Sequence, residues 1–275
     1  MTFLTDNHIH STISTDAHNT MTEMALASYE KGVRALCFTD HCDLDHFKTG
    51  IPDPQCFDMR DEMNEMFAQA KRAVPSDMEL FLGLELGEGN HDVDRMREIA
   101  SSPELDFILG SLHNLSGEKD FYEMEFPDSA YCREVLERYM DELIELAALP
   151  YFDVMAHIGY PVRYMRRRCD PQMKFGMRDY GDRLDVLLKI LIQNGKGLEI
   201  NCSGLRDEYM LETMPETEVL RRYRELGGEI ITVGSDAHRV SDAGSYLRDG
   251  FEILRNLNYK YVTIFRNRKP EFIKL

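Results

Sequence analysis

Short apolar runs alternate with stretches of helical period about seven times along this chain, and that rhythm restricts the fold more than any other property of the sequence. The runs cover residues 3–10, 33–38, 79–84, 106–112, 152–156, 196–200 and 229–233. Thr20 and Glu23 form a capping box that opens a helix, which Gly32 closes. A second helix is expected over 57–73 ahead of Pro75, and a third over 92–100 ahead of Pro103. Over 130–148, apolar residues at 135, 136, 139, 140, 143, 144 and 147 mark a helical stripe that Pro150 ends. Leu184, Leu187, Leu188, Leu191 and Ile192 mark another, closed near Gly195. The next runs over 218–226 and stops at Gly227-Gly228; a last helix near 249–256 and a strand near 259–264 finish the chain.

Strands that alternate with helices pair in parallel. Seven or eight such units in 275 residues suggest a closed barrel rather than an open sheet. No Pro/Gly/Ser-rich linker interrupts the pattern, so residues 1–275 are expected to form a single domain. No run is long enough to span a bilayer, and no basic segment leads an apolar one at the amino terminus as a secretory signal would. The six cysteines, at 37, 42, 56, 132, 169 and 202, show no CxxC spacing. Cys37 and Cys202 lie in strand-like runs and are expected to be buried thiols. A soluble, reduced, cytoplasmic protein is expected, and its oligomeric state is left open. The formal net charge of -17 opposes binding to a phosphate backbone and suits binding to cations. Neither a nucleic-acid partner nor a membrane is expected.

Residues of metal-binding type recur just past the apolar runs. His8 and His10, two apart on an extended backbone, point the same way and can clamp one divalent ion. His41, Glu85, His113, His157, Asp236 and His238 follow later runs. In parallel α/β folds the carboxyl ends of the strands form the active face. Six of the nine histidines fall there, a clustering that points to a multinuclear metal site. His18, His46 and His91 lie in loops or helix starts and are expected to be exposed.

His8-x-His10, Thr39-Asp40-His41, the Glu85 strand end, His113, His157 and Gly234-Ser235-Asp236-Ala237-His238 resemble the polymerase-and-histidinol-phosphatase (PHP) family over nearly the whole chain. The length, and Glu199-Ile200-Asn201-Cys202-Ser203-Gly204-Leu205-Arg206, look most like its stand-alone histidinol-phosphatase branch. The resemblance implies an α/β fold, a distorted (β/α)7 TIM-like barrel, with two to three divalent ions. It implies that His8, His10, Glu85 and Asp236 hold one ion. Glu85 would bridge to a second, held also by His113 and His157, and Asp16, His41 and His238 would take a third. Some family members place a histidine at the Asp16 position, and His18 competes for that role. A carboxylate there suits manganese or iron as well as zinc. Asp40 is expected to face away from His41 and to orient an imidazole, or else to serve as a cap or surface group.

Two metals about 3.5–4 Å apart can share a hydroxide and stabilise in-line displacement at phosphorus. The expected chemistry is therefore phosphoester hydrolysis by direct attack of a bridging hydroxide, and the resemblance implies a small phosphate monoester as substrate, L-histidinol phosphate first. Glu85, Asp236 and His238 would form its catalytic centre. The leaving alkoxide takes a proton from metal-bound water or from His238; the sequence leaves both open. Arg163 and Arg206, in loops past strands, are candidates for the phosphate, with Arg239 a third. Asn201 and Ser203 are candidates to hydrogen-bond substrate, or to cap their loop. Arg166-Arg167-Arg168 reads mainly as a solvated charge run, or else as a lip that draws in anions. Met59, Met63 and Met66 read as packing residues. The alternative is another small phosphate ester or a nucleotide or oligonucleotide phosphodiester, against which the acidity and the lack of a basic stripe count.

Overall fold

The computed structural model describes residues 3–45 and 59–275. His46 and Cys56, and the first residues of the helix expected from 57, lie outside these. Seven strands form one sheet in chain order. They are β1 (Leu4–Ile9), β2 (Val33–Asp43), β3 (Glu79–Gly87), β4 (Phe107–Ser111), β5 (Val154–Met155), β6 (Gly197–Asn201) and β7 (Ile231–Gly234). Every neighbouring pair is parallel. The sheet comes round on itself where β7 ends. Asp236 N–H donates to the His8 carbonyl (2.7 Å) and His10 N–H to the Ala237 carbonyl (3.0 Å). The result is the nearly closed seven-stranded barrel that the alternation implies.

The helices are α1 (Met21–Glu30), α2 (Arg60–Ala73), α3 (Val93–Ala100), α4 (Ser129–Ala147), α5 (Tyr160–Arg168), α6 (Met177–Gln193), α7 (Ser203–Arg206), α8 (Thr217–Glu225) and α9 (Leu247–Asn256). The Thr20/Glu23 capping box is formed. The stripe on α4 is buried as its period requires, with Val135, Leu136, Tyr139, Met140 and Leu143 all inside. Met63 is buried, and Met59 and Met66 pack against the core. No described helix is long and apolar enough to cross a membrane.

Two helices stand where loops were expected. Gly159, at φ 99°, turns the chain away from β5, and Pro161 in the first turn starts α5. Three arginines in its last turn suit a helix carboxyl end, although they hide its apolar face from a sequence reading. The other is the one-turn α7.

The interior of the barrel changes character along its axis. Alternate residues of β3 read Phe81, Gly83, Glu85, so the column that begins apolar ends on a carboxylate. At the amino-terminal end Ala35, Cys37, Phe81, Phe107, Leu109, Val154 and Ala156 pack together with Ile264 and Phe265. The last two belong to β8 (Tyr261–Arg266), which pairs antiparallel with β9 (Lys269–Lys274), a strand that the sequence reading did not contain. Their turn, Asn267-Arg268, has positive φ at both residues. Arg268 reaches from it to Asp153 Oδ2 (2.5 Å) and to the carbonyls of Ala100 and Tyr151. The hairpin therefore stoppers the lower end of the barrel. Cys37, Cys132, Cys169 and Cys202 are free thiols. Cys42 is disulfide-bonded, which departs from the expectation of a wholly reduced chain.

Candidate metal centre

Parallel register sets the ligand-bearing strand ends side by side. His41 on β2 pairs with Glu85 on β3, and Glu85 with Leu109 on β4. Glu85 is fully buried, and five imidazoles surround its carboxylate. Oε2 lies 3.2 Å from His8 Nε2, 3.5 Å from His10 Nε2 and 3.0 Å from His41 Nδ1. Oε1 lies 3.1 Å from His113 Nε2 and 2.6 Å from His157 Nε2. One carboxylate thus faces two groups of histidines with its two oxygens.

Asp236 completes the first group, its Oδ1 3.4 Å from His10 Nε2 and 3.7 Å from His8 Nε2. It does so from φ 52°, a left-handed conformation that aspartate tolerates better than most residues. At the mouth, His238 Nε2 lies 3.2 Å from Asp16 Oδ2 and 3.5 Å from His41 Nε2, and Asp16 Oδ2 lies 3.8 Å from His41. The exposed His18 meets the site only through its backbone, which donates to the His238 carbonyl. Ligand atoms converge within 4.8 Å in His8/His10/Asp236, His8/Glu85/His157, His41/Glu85/His113 and His10/His41/His238.

Several of these atoms converge without bonding to one another. His41 Nδ1 and Glu85 Oε2 are buried and lack any hydrogen-bond partner, although they are only 3.0 Å apart. His8 Nε2 and His10 Nε2 face each other at 3.1 Å. Lone pairs aimed at shared points rather than at donors suit a cation site. Nitrogen and carboxylate donors without thiolate suit zinc, manganese or iron. The electrostatics agree. Burial disfavours the charged form of Glu85, but the histidines around it hold its carboxyl well below the usual range. Asp236 is lowered against its own burial by His8, His10 and His238. Burial also opposes a charge on His41 and His113, yet Glu85 and the other carboxylates raise both above the ordinary histidine value. His10 moves the other way, held well below the ordinary histidine value by burial and by His238 and His41.

A layer of polar groups grips the imidazoles from behind, and most of it was not singled out by sequence. Glu199 Oε1 is 2.6 Å from His8 Nδ1, and its Oε2 accepts from His157 N–H at 2.8 Å. Asp43 Oδ1 is 3.1 Å from His113 Nδ1, and Glu88 Oε1 accepts from His113 N–H at 2.7 Å. Glu199 stood in a quoted motif without a role, and its place two residues before Asn201 on one strand face was the available signal. Asp40 turns away from the cavity and accepts from Ser11 N–H (2.6 Å), Ser11 Oγ (2.8 Å) and Ser14 Oγ (2.7 Å). Ser14 Oγ in turn lies 3.2 Å from His10 Nδ1, so Asp40 reaches an imidazole through one hydroxyl.

A cavity of about 290 Å³ opens over the cluster, lined by Asp16, His41, Glu85, His113, His157, Tyr160, Arg163, Tyr164, Arg206, Asp236, His238, Arg239 and Asp242. All three candidate arginines reach it, but Arg163 and Arg206 do so from α5 and α7 rather than from loops. Arg163 donates to Ser203 Oγ (2.5 Å), and its buried Nε lies 3.5 Å from Asp207 Oδ2. Arg206 holds the carbonyls of Ser235 (2.5 Å) and Asp236 (2.8 Å). Asn201 and Ser203 stand behind the lining: Asn201 Nδ2 and Ser203 Oγ donate to Asp236 Oδ2 at 3.2 and 3.1 Å. The arginine run is divided: Arg167 and Arg168 are exposed, as a solvated run requires, whereas Arg166 is buried. Arg166 donates to Met173 O, Met210 O and Glu212 Oε1, Arg167 pairs with Asp207, and Arg168 lies over the Tyr122 and Tyr164 rings. Nor is His91 exposed: its ring is held between Asp45 Oδ2 (3.0 Å) and Glu142 Oε2 (2.6 Å).

Known proteins share this architecture. A "Probable histidinol-phosphatase" from Clostridium acetobutylicum is 30% identical over 258 residues, 94% of this chain and 95% of its own length. Another protein of that name, from Thermotoga maritima, is 24% identical over 94% of each. The solved structure of histidinol phosphate phosphatase from Lactococcus lactis, complexed with zinc, L-histidinol and phosphate, superposes with a TM-score of 0.77. It is 20% identical and covers 98% of both chains, so it speaks to the fold. The model of the PHP domain matches residues 6–203, from within β1 to the first residue of α7, and this chain belongs to the PHP family.

Proposed function

We propose that this protein is a metal-dependent phosphate monoesterase that hydrolyses L-histidinol phosphate to L-histidinol and phosphate. The observation that carries the reading is Glu85, one buried carboxylate set between two groups of imidazoles beneath a cavity whose wall holds Arg163 and Arg206. The Lactococcus structure, with zinc, L-histidinol and phosphate, supports the choice of substrate. In this reading His8, His10, Glu85 and Asp236 hold one ion, Glu85, His113 and His157 a second, and Asp16, His41 and His238 a third. Zinc, manganese or iron bound there supplies an activated water and positive charge for the phosphoryl oxygens.

The side chains do the rest. Glu85 offers one oxygen to each group and so fixes their separation. Arg163, whose Nε is 3.5 Å from Asp207 Oδ2, lines the cavity and offers its guanidinium to the phosphate, and Arg206 adds a second. His238 Nδ1 lies 3.2 Å from the Asp236 carbonyl and carries the proton there, which leaves Nε2 aimed at Asp16 and His41. That atom can ligate or can hold the leaving-group proton. We assign it to ligation, and the leaving oxygen takes its proton from water in the cavity. The same reading takes residues 1–275 as one domain.

The test is phosphate release from L-histidinol phosphate, from other small phosphate monoesters and from a single-stranded oligonucleotide, each with zinc, manganese or iron(II). Fast release from L-histidinol phosphate alone supports the proposal. Preferred cleavage of the oligonucleotide, or no release with any metal, overturns it.

A further inference from the structure

Strand β6 ends on the metal-facing side of the barrel, yet it supplies none of the proposed ligands. Its two polar residues there, Glu199 and Asn201, are almost completely buried. We propose that Glu199 is a positioning residue for the centre: it fixes the tautomer of His8 and ties that ligand to His157. The proposal rests on the metal-centre reading above.

The argument begins with donors and acceptors. A carboxylate only accepts, so a contact of 2.6 Å between Glu199 Oε1 and His8 Nδ1 places a proton on Nδ1. His8 Nε2 is then free to present its lone pair toward Glu85 Oε2 at 3.2 Å. The other oxygen of Glu199 accepts from His157 N–H at 2.8 Å, which sets where that residue leaves β5. Asn201 extends the brace, since its amide reaches both Glu199 Oε2 (3.3 Å) and Asp236 Oδ2 (3.2 Å). Three ligands, from β1 and from the ends of β5 and β7, are thereby registered against one strand. Gly234 makes room for this. A Cβ there would stand 2.4 Å from His8 Cβ and 2.6 Å from Glu199 Oε1. Carboxylates that hold the far nitrogen of a metal-bound histidine commonly change metal affinity by about 10–100-fold.

Glu199→Gln keeps the shape and removes one acceptor, so either His8 Nδ1–H or His157 N–H must face an NH2 group. Glu199→Asp keeps the charge but is too short to span both. Zinc affinity is measured by competition with a chromophoric chelator for wild type and both variants, beside the melting of each metal-free protein. The cobalt(II)-substituted forms are compared by visible absorption. The expected result is zinc held about 10–100-fold more weakly by Glu199→Gln, with a shifted cobalt band. Turnover should be regained in excess zinc, with KM little changed. A purely structural role would move the metal-free melting and leave the zinc affinity and cobalt band alone; that outcome overturns the proposal. If Glu199→Gln does not fold, Glu199→Asp carries the same comparison. Wild-type protein that takes up no zinc, manganese or iron instead overturns the metal-centre reading, and this proposal with it.

Discussion

Glu85 concentrates the chemistry of the site on one side chain, because two sets of imidazoles share its carboxylate. Glu85→Ala should abolish turnover and lower bound metal by at least one equivalent while the far-UV spectrum stays native; metal analysis beside the phosphate assay checks both. The two arginines should separate kinetically. Arg163 lines the cavity with its Nε 3.5 Å from Asp207 Oδ2, and a hydrogen bond to a charged group contributes about 1.5–3 kcal/mol. Arg163→Ala should therefore raise KM for the phosphate ester by roughly 10–100-fold with a smaller change in kcat. Arg206 also grips the Ser235 and Asp236 carbonyls. Arg206→Ala should lower kcat as well, and steady-state kinetics of the pair distinguish the two roles. All the ligand residues but Asp16 were legible in the sequence because they follow apolar runs, a pattern that survives without knowledge of any contact; Asp16 came from the family resemblance alone. The groups behind them were not. Glu199, Asp43 and Glu88 acquire meaning only when β6, β2 and the end of β3 are brought against His8 and His113, and no local pattern encodes that approach.

Among the elements, those with a clean period were readable and those shaped by tertiary contacts were not. The helix stripe on α4 and the strand alternation announce themselves, whereas α5 ends in three consecutive arginines of which the first is buried and the other two exposed. Arg166 shows why: its guanidinium satisfies two loop carbonyls and Glu212, so a charged residue serves as a core anchor. Arg166→Met should destabilise by about 2–4 kcal/mol, since it leaves those acceptors without a donor, and a denaturant titration would read the loss. β8 was readable as a strand near 259–264, whereas β9 was not, because Lys, Pro and Glu dilute it. On the outer wall, Arg222 on α8 hydrogen-bonds Asp185 on α6 through two nitrogens, at 2.7 and 2.6 Å, and brings that carboxyl down to about 2. A lowered carboxyl contributes stability above its unfolded value near 3.9. The contribution fades as pH falls toward 2. Asp185→Asn should therefore cost stability at neutral pH and cost progressively less in acid, which thermal melts across that range would reveal.

For the molecule as a whole, the excess negative charge and the cation site are linked. Ions that bind only the folded barrel stabilise it by mass action, about 4 kcal/mol when free metal exceeds the dissociation constant a thousandfold. Exhaustive chelation should lower the melting temperature by several degrees and abolish turnover, and both should return on adding back zinc or manganese. A chain that melted identically with and without metal would not be held together by its centre. The Arg268 hairpin has a further consequence for traffic. With the lower end filled by side chains, the cavity over the cluster opens, among the described residues, past Arg163 and Arg206. On the proposed function, ester, alcohol and inorganic phosphate would share that mouth, and a departing phosphate would stand where the next ester must dock. Free phosphate should therefore raise the apparent KM without lowering the limiting rate, and crowding at that doorway would throttle the enzyme when its product accumulates.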